Sequence, residues 1–211
     1  MSKQSFTTNM QPEIIISQIA GDLQLKGWDQ PEIVINADPD DLHVEQVENK
    51  FQLTCLSDCL VRVPEGASIQ LEKAEGDASF KFLGGPLTIS TVHGSLEVRQ
   101  AVGVQVGTVH GHLVARSLSG DLKADQIYGR AELRDLQGGC SLEQVSGNID
   151  FRDVEGGIYA RTHGNARLRL SSISGETYEV QAGANIHSHI PEVVSLKLQK
   201  NSGAALIRLK L

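Results

Sequence analysis

Aromatic residues, prolines and long apolar runs are scarce in this chain of 211 residues. Only 4% of the residues are aromatic, and there are six prolines. The interior must therefore be filled by valine, leucine, isoleucine and alanine, and with 21 glycines this composition suits a narrow, repetitive β core with many tight turns. The length fits one all-β domain.

The chain also lacks an excess of positive charge. Its formal net charge is −7, which argues against a protein that mainly coats nucleic acid or an anionic membrane surface. Residues 1–10 lack the basic and apolar regions of a secretory signal, and no run approaches the roughly 18 apolar residues of a membrane span. We therefore expect a cytoplasmic location, no membrane span and no nucleic-acid partner.

Cysteines are few and odd in number. The three of them fit a reducing compartment better than a disulfide framework. If residues 56–58 formed a hairpin loop, Cys55 and Cys59 would lie at a bridgeable separation. Two reduced thiols are the favoured interpretation because no export signal is seen, and the bridge stays open as an alternative.

Glycine recurs about every nine residues over a hundred residues, and this repeat determines the fold prediction. Turn-like tetrads end at Gly94, Gly111, Gly129, Gly147 and Gly164, with spacings of 17, 18, 18 and 17 residues. The sequence therefore predicts an all-β, single-stranded β-solenoid (β-helix) with two sides and two corners per coil, and a three-sided section stays open. We expect left-handed φ values at the corner glycines. The recurring glycines are Gly76, Gly85, Gly94, Gly103, Gly111, Gly120, Gly129, Gly138, Gly147, Gly156, Gly164 and Gly175.

Apolar residues alternate with polar ones after each corner, which is typical of a strand with one buried face. Equivalent positions of successive coils should stack, so that two sheets face each other across one thin core. A further apolar column should fill each bend. The predicted inward columns are Ala78, Leu96, Leu113, Ala131, Ile149, Ala166; Phe80, Val98, Ala115, Leu133, Phe151, Leu168; Leu87, Val104, Leu122, Cys140, Ile158; Ile89, Val106, Ala124, Leu142, Ala160; and, at the bend, Val92, Val109, Ile127, Val145, Thr162.

Short strand-like runs flank the repeat on both sides. We interpret the chain as one domain whose coils are capped by short N- and C-terminal β-strands. Its segments are a disordered or extended N-terminus at 1–12, an N-terminal β cap at 13–73, solenoid coils at 74–183 and a C-terminal β cap at 184–211. The second cap contains two alternating runs, at 193–198 and 205–211.

Several turn motifs carry a family resemblance. They are Gly21-Asp22-Leu23, Gly27-Trp28-Asp29, and Val63-Pro64-Glu65-Gly66 leading to Gly76-Asp77, followed by the glycine-cornered coils. With these motifs the chain resembles the bacterial putative-adhesin domain family, a group of β-solenoid domains of unknown function, over about residues 13–185. The resemblance implies no catalytic residues, and it implies a cell-surface location as an alternative because members are often exported or membrane-tethered. A weaker similarity is to the bactofilins, cytoskeletal β-helices that polymerise end to end, although the long N-terminal cap departs from their layout.

Basic residues occupy the fifth position after one corner glycine in every coil, and they should form one outward column. Acidic residues stand beside them, at Glu97, Glu132, Asp135, Asp150 and Asp153. The favoured interpretation is a solvated ion-pair lattice that contributes little per pair. The alternative is an interaction strip whose guanidinium groups bind carboxylates or phosphates of a partner. The candidate strip is Lys81, Arg99, Arg116, Arg134, Arg152 and Arg169.

Residues that could support catalysis or metal binding are dispersed. A metal needs more ligands than the corner histidines His93, His110 and His163 supply, since Tyr128 and Ser146 interrupt their column. No phosphate loop, nucleophile elbow or zinc spacing is present. We therefore predict no enzyme activity, no cofactor and no metal. The other residues considered are His187 and His189 near a cap, and Asp121, Asp125 and Glu143 on the second side, among Lys123, Thr88, Gln105, Ser141 and Tyr159.

Two function classes remain for such a molecule. The first is a non-catalytic structural or protein-interaction scaffold that assembles with itself or binds a protein partner, through an exposed coil end or the C-terminal strand at 205–211. The second is a binding module for a glycan or another extended polymer on a flat side of the solenoid.

Overall fold

The computed structural model describes residues 2–171, 177–189, 197–201 and 204–209, and its regular structure there is β-strand throughout. The predicted all-β solenoid is confirmed. The strands are β1 (Ser2–Thr7), β2 (Glu13–Ile19), β3 (Leu23–Trp28), β4 (Glu32–Ala37), β5 (Leu42–Val47), β6 (Lys50–Cys55), β7 (Cys59–Pro64), β8 (Ser68–Ala74), β9 (Ala78–Leu83), β10 (Leu87–Val92), β11 (Leu96–Ala101), β12 (Val104–Val109), β13 (Leu113–Leu118), β14 (Leu122–Ile127), β15 (Ala131–Leu136), β16 (Cys140–Val145), β17 (Ile149–Val154), β18 (Ile158–Thr162), β19 (Ala166–Arg169), β20 (Tyr178–Ala182), β21 (Ile186–His189), β22 (Lys197–Asn201) and β23 (Ala204–Leu209).

Successive strands of the coils alternate between two sheets, so each coil has two sides. Sheet A has the order β1-β4-β7-β3-β9-β11-β13-β15-β17-β19-β21, and sheet B has the order β22-β23-β20-β18-β16-β14-β12-β10-β8-β2-β6-β5. Neighbouring coils pair in parallel and in register, as Leu96 with Leu113 in sheet A and Leu122 with Cys140 in sheet B. This register stacks equivalent positions directly above one another.

All five predicted inward columns are buried between the sheets. The polar member of the bend column, Thr162, is satisfied there: its hydroxyl donates to the carbonyl of Gly147 and accepts the N–H of Gly164 at 3.0 Å. Tyr178 is also fully buried, and its hydroxyl donates to the carbonyl of Glu155 at 3.0 Å. The core therefore holds its few polar atoms in hydrogen bonds, as burial requires.

The corner glycines have a different role from the predicted one. The prediction of left-handed φ values is wrong, since Gly111 and Gly147 have φ outside that range. A Cβ on Gly111 would lie 2.6 Å from the carbonyl oxygen of Gly94 in the coil before, and a Cβ on Gly147 would lie 2.6 Å from that of Gly129. Glycine is needed at these corners because successive backbones approach closely.

Left-handed residues do occur, but they are not glycines. One of the six, Glu48, lies in the turn between β5 and β6. The other five each directly follow a position of the predicted basic strip, and each leaves two consecutive side chains pointing outward, as Arg116 and Ser117 do in β13. Such a bulge lets a six-residue strand bury its first, third and sixth positions. These residues are Phe82, Gln100, Ser117, Asp135 and Asp153, with φ between 51° and 60°.

A ladder of side-chain hydrogen bonds follows one corner, and we call it the corner ladder. The residue after the corner accepts the backbone N–H of the equivalent residue one coil further on: Asp77 accepts from Ser95 at 2.7 Å, and Asn148 accepts from Asn165 at 2.8 Å. The ladder ties neighbouring coils together independently of the sheets. Its accepting members are Asp58, Asp22, Asp77, Ser95, His112, Asn148 and Asn165.

The N-terminal segment folds back on itself. The first coil, β2 with β3, lies between the later coil β6 with β7 and the coil β8 with β9. Along the chain, β4 and β5 connect the first coil to β6. Both lie at the end of the stack, where β4 runs antiparallel to β7 and β5 runs antiparallel to β6. Strand β1 then pairs antiparallel with β4, so the segment 1–12 contains an ordered edge strand.

At the C-terminal end, β21 continues sheet A in parallel, whereas β23 lies antiparallel between β20 and β22. The predicted free edge at 205–211 is therefore wrong for its described part, since both sides of β23 are paired. Residues 193–196, 210 and 211, and the predicted corner at Gly175, lie outside the described residues.

The three cysteines are free and buried. Cys55 ends β6 in sheet B and Cys59 begins β7 in sheet A, so residues 56–58 form a corner between sheets instead of a hairpin. Burial, and then the neighbouring Cys55, raises the pKa of the Cys59 thiol. Burial likewise raises the pKa of Cys140, which lies in the inward column of sheet B.

Candidate functional site: a basic ladder on sheet A

The predicted basic strip is a continuous column on the outside of sheet A. Arg99 pairs in register with Lys81 on one side and with Arg116 on the other, and the pairing continues to Arg134, Arg152 and Arg169. Adjacent strands lie about 4.8 Å apart. All six predicted residues therefore present like charges on directly neighbouring strands.

The column extends beyond the six predicted residues. Lys26 in β3 pairs with Lys81, and Arg62 in β7 pairs with Lys26, while His189 follows Arg169 at the other end. Lys26 could have been predicted, because it stands at the fifth position after Gly21. Arg62 was hidden by the exchange of coil order at the N-terminus. We define the basic ladder as Arg62, Lys26, Lys81, Arg99, Arg116, Arg134, Arg152 and Arg169.

Glu97 neutralises one part of the basic ladder. Its carboxylate accepts a hydrogen bond from Nε of Arg99 at 2.7 Å and lies 3.6 Å from Nζ of Lys81. Burial by itself would raise the pKa of Glu97, but the hydrogen bond and charge of Arg99, helped by Lys81, lower it overall. Glu97 is therefore an ionised bridge between two rungs.

Glu132 makes an equivalent bridge further along, whereas Asp150 pairs with a single rung of the basic ladder. Oε1 of Glu132 lies 3.0 Å from NH2 of Arg116 and 3.8 Å from NH2 of Arg134. Both oxygens of Asp150 accept from NH2 of Arg169 at 3.0 Å. The ion pairs are thus spaced along the ladder and leave gaps between them.

Ion pairing varies along the basic ladder. Arg62, Lys26 and Arg152 make no ion pair with a described residue. The Nε atoms of Arg116, Arg134 and Arg169 are buried without a hydrogen-bond partner among the described residues. A buried donor without a partner is unfavourable for folding, but the same three side chains are 34–40% exposed and each makes an ion pair through its guanidinium group.

The first rungs of the ladder contact aromatic rings. Nζ of Lys26 lies 5.1 Å from the centroid of the Phe82 ring, and the guanidinium carbon of Arg62 lies 5.8 Å from the Trp28 ring. Both distances fit cation–π contacts. Phe82 is one of the left-handed residues, and it is 38% exposed, so the bulge holds an apolar ring on this surface.

Charge is distributed unequally between this surface and the rest of the chain. We define the basic face as the outward side chains of β3, β7, β9, β11, β13, β15, β17 and β19. Nine cations and five carboxylates give it a formal charge of +4, whereas the whole chain carries −7, so the remainder carries −11. The cations are the basic ladder and Arg167, and the carboxylates are Glu97, Glu132, Asp135, Asp150 and Asp153.

Two grooves border the basic face on the side of the corner ladder. One has a volume of about 360 Å³ and lies beside Lys81 and Glu97. The other has a volume of about 350 Å³ and is lined by Arg130, Arg167 and His187 among others. Both grooves also contain carboxylates. Asp22, Asp77 and Glu97 line the first and Glu132 and Asp150 line the second, so neither groove is a purely cationic cleft.

The predicted corner histidines are only partly brought together. The rings of His93 and His110 meet edge to face at 4.9 Å, and Tyr128 stacks on His110 at 4.9 Å. Nδ1 of His93 also lies 2.5 Å from Glu75. A hydrogen bond from Lys73 lowers the pKa of Glu75, against burial and with the help of His93.

His163 is separated from these rings by the rung of Ser146. In the described part of the chain, no group of three or more His, Cys, Asp or Glu side chains is arranged to hold a metal ion. On the second side, Asp121 accepts the N–H of Gly139 at 2.8 Å, so it has a structural role at a corner.

The comparisons with known proteins found no relative. No family model matches the chain, and no curated protein and no solved structure is significantly similar to it. The described residues include no helix with the length and apolarity needed to cross a membrane.

Proposed function

We propose that the protein is a non-catalytic interaction scaffold whose basic face binds an acidic protein partner. The observation that carries the proposal is the charge of +4 on this face in a chain of net charge −7. A local excess of one sign on a surface steers and selects partners of the other sign. The acidic remainder of the molecule repels the same partner and so confines it to one face.

Charge repulsion within the basic ladder supports this role. Like charges on directly neighbouring strands repel each other, and only three of the five carboxylates make ion pairs with the ladder. The buried Nε atoms of Arg116, Arg134 and Arg169 add a further cost. A column of like charges that recurs in every coil, with only part of its charge paired, supports a binding role.

The shape of the ladder supports an extended ligand. Guanidinium groups bind carboxylates through planar pairs of N–H donors, and here they repeat once per strand along a straight line. Arg152 and Arg62 have no ion pair to a described residue. Since Arg62 already contacts the Trp28 ring, the guanidinium of Arg152 is the more available of the two to a partner's carboxylate. We keep the cytoplasm as the proposed location.

A matched pair of triple variants tests the proposal. Arg116→Gln, Arg134→Gln and Arg152→Gln together remove three ladder charges, and Lys50→Gln, Lys123→Gln and Arg161→Gln remove three charges from sheet B. The probe is a fluorescein-labelled peptide of consecutive glutamates, measured by anisotropy, followed by recovery of partners from native cells. About 0.7 kcal/mol for each lost contact predicts about 30-fold weaker binding for the ladder variant.

The control variant should bind as the unmodified protein does, and all three proteins should melt alike. Equal binding by the ladder variant would contradict the proposal. So would an oligonucleotide of equal charge that binds more tightly than the peptide, because it would assign the face to nucleic acid.

A second candidate function is glycan binding at the ring column. His93, His110 and Tyr128 form a run of contacting rings along one corner, in which only Tyr128 and His110 are stacked, and Tyr128 is 47% exposed. Exposed rings are suitable surfaces for sugars because they are apolar on the face and polar at the edge. A glycan array in which Tyr128→Ala loses every signal would support this function, and an array without signals for the unmodified protein would dispose of it.

A further inference from the structure

The N-terminal end of the solenoid is offset between the two sheets. Beyond the coil of β6 and β7, sheet A continues with β4 and β1, whereas sheet B continues only with β5. Sheet A therefore projects one strand further than sheet B. Both β1 and β5 have a single neighbour among the described strands, and so each presents an open edge.

The two open edges run in the same direction. Strand β1 is antiparallel to β4, which is antiparallel to β7, so β1 runs as β7 does. Strand β5 is antiparallel to β6, and β6 runs opposite to β7 because they are the two sides of one coil. It follows that β1 and β5 point the same way on opposite sides of the core.

Hydrogen bonds show which backbone groups of β1 face its open edge. The N–H of Thr8 donates to the carbonyl of Pro31 at 3.0 Å, which fixes the pairing phase with β4. Even-numbered residues of β1 therefore bond to β4, and the backbone groups of Lys3, Ser5 and Thr7 face the edge. The side chains of these three residues are exposed on the outer surface.

The backbone groups of β5 also alternate between bonding to their neighbour, β6, and facing the open edge. The N–H of Leu56 donates to the carbonyl of Asp41 at 3.0 Å, so the backbone groups of Leu42, Val44 and Gln46 face the open edge. The side chains of Leu42 and Val44 are half-buried and pack against the core. In β5 the edge-facing residues thus point inward, whereas in β1 they point outward.

Only one pairing of β1 with β5 satisfies both strands. In a parallel pair, a residue that directs its backbone groups at the partner lies opposite a residue that directs its own groups away, and both side chains share a face. Ser5 can therefore lie opposite His43 or Glu45, whose side chains are exposed as its own is. An antiparallel pair would place Ser5 opposite Val44, with side chains on opposite faces.

We propose that a second copy of this chain docks on the N-terminal end, with β1 of each copy paired in parallel to β5 of the other. A twofold axis parallel to the strands leaves the strand directions unchanged and places sheet A of one copy in line with sheet B of the other. The extra strand of sheet A then lies where the partner's sheet B is one strand short. The inference deepens the scaffold role proposed above, but it uses none of the basic face.

The docked end also covers apolar side chains. Phe6, Leu42 and Val44 are only partly buried, although they pack against the core. Phe6 contacts Phe51 of the opposite sheet with ring centroids 6.1 Å apart. A second copy closes both sheets at this end, which removes two open edges and continues the core across the interface.

Proline substitutions test the pairing without disturbing the fold of one copy. The N–H groups of Ser5 and Gln46 face the open edges, so Ser5→Pro and Gln46→Pro each remove a donor that makes no bond within the chain. Ser5→Ala and Gln46→Ala are the matched controls, since both keep the N–H, and Gln46→Ala also removes the hydrogen bond from Nε2 of Gln46 to the carbonyl of Glu48. Light scattering on a sizing column should give twice the chain mass for the unmodified protein and both controls, and the chain mass for both proline variants with unchanged circular dichroism.

Cross-linking distinguishes this arrangement from other dimers. A mixture of Ser5→Cys protein with Glu45→Cys or His43→Cys protein should form covalent dimers through a short bis-maleimide, whereas Ser5→Cys protein alone should form none. A monomer at all concentrations would overturn the inference, as would a dimer that persists in both proline variants or cross-linking of Ser5→Cys protein with itself. Loss of the dimer leaves peptide binding by the basic face intact, so the two proposals fail separately.

Discussion

Replacing Arg130 with asparagine should stabilise the solenoid, because Arg130 interrupts the corner ladder. Its own N–H donates to Nδ1 of His112 at 3.1 Å, so Arg130 is joined to the corner ladder of the preceding coil. Its guanidinium carries only donors and cannot accept the N–H of Asn148 in the next coil. Further on, Asn148 accepts from Asn165 at 2.8 Å, so the ladder resumes directly beyond the break.

The size of the effect follows from one hydrogen bond at a partly hydrated corner. A net hydrogen bond contributes about 1 kcal/mol, and Asn148 is exposed, so its N–H exchanges a bond with water for a bond with protein. We expect the free energy of unfolding to rise by about 0.5 to 1 kcal/mol. For a chain of this length that corresponds to an increase of about 2 °C in Tm.

The assay is urea unfolding of Arg130→Asn against Arg130→Ala, which removes the same charge without adding an acceptor. Because coils interact mainly with their neighbours, hydrogen exchange should also be followed at the single amide of Asn148, where protection should increase. If Arg130→Asn were no more stable than Arg130→Ala, or if exchange at Asn148 did not slow, the corner ladder would not be a stabilising element.

Three further predictions concern the bulge at Ser117, the ion pairs of the basic ladder and the core. Ser117→Gly should raise the free energy of unfolding by about 0.5 kcal/mol because Ser117 has φ of 57°, whereas Ser90→Gly in an extended strand should lower it by about 1 kcal/mol; a gain in neither, measured by urea unfolding, would contradict the strain. Glu97→Gln should lower stability by less than about 1 kcal/mol at pH 7. Because the folded pKa of Glu97 is lowered, urea unfolding at several pH values should show this difference shrink below the ordinary Glu pKa of about 4.3 and disappear only below the lowered folded pKa. Cys140 should not react with a thiol reagent in the native protein, because burial raises its pKa, and rapid labelling before unfolding would refute its place in the core.

The coils could be predicted from the sequence because their determinants are local. The glycine spacing defines the rungs, and the alternation after each corner identifies inward positions such as Leu113 and Leu133, both buried. The N-terminal order could not be predicted in this way. The placement of β2 between β6 and β8 depends on contacts between segments far apart in sequence, and the short runs there contain no repeat that would reveal it.

The candidate site was partly predictable for the same reason. The fifth-position rule located the column from Lys81 to Arg169 and, applied at Gly21, would have added Lys26. The bulge left no sequence signal, because left-handed φ is held by Phe82 and Ser117 and not by glycine. Glycine instead appears where backbones touch, a requirement of packing between coils that a single coil does not show.

The two proposed surfaces together determine how the scaffold would present its partners. A twofold axis along the strands exchanges sheets A and B, so the basic faces of a dimer would lie on opposite sides of the doubled solenoid. One acidic chain could not reach both faces without passing around the molecule, and linked binding would therefore give little gain in avidity. The dimer should instead bridge two separate partners, so titration with the glutamate peptide should end at one peptide per chain, with the same affinity for the dimer as for Ser5→Pro protein.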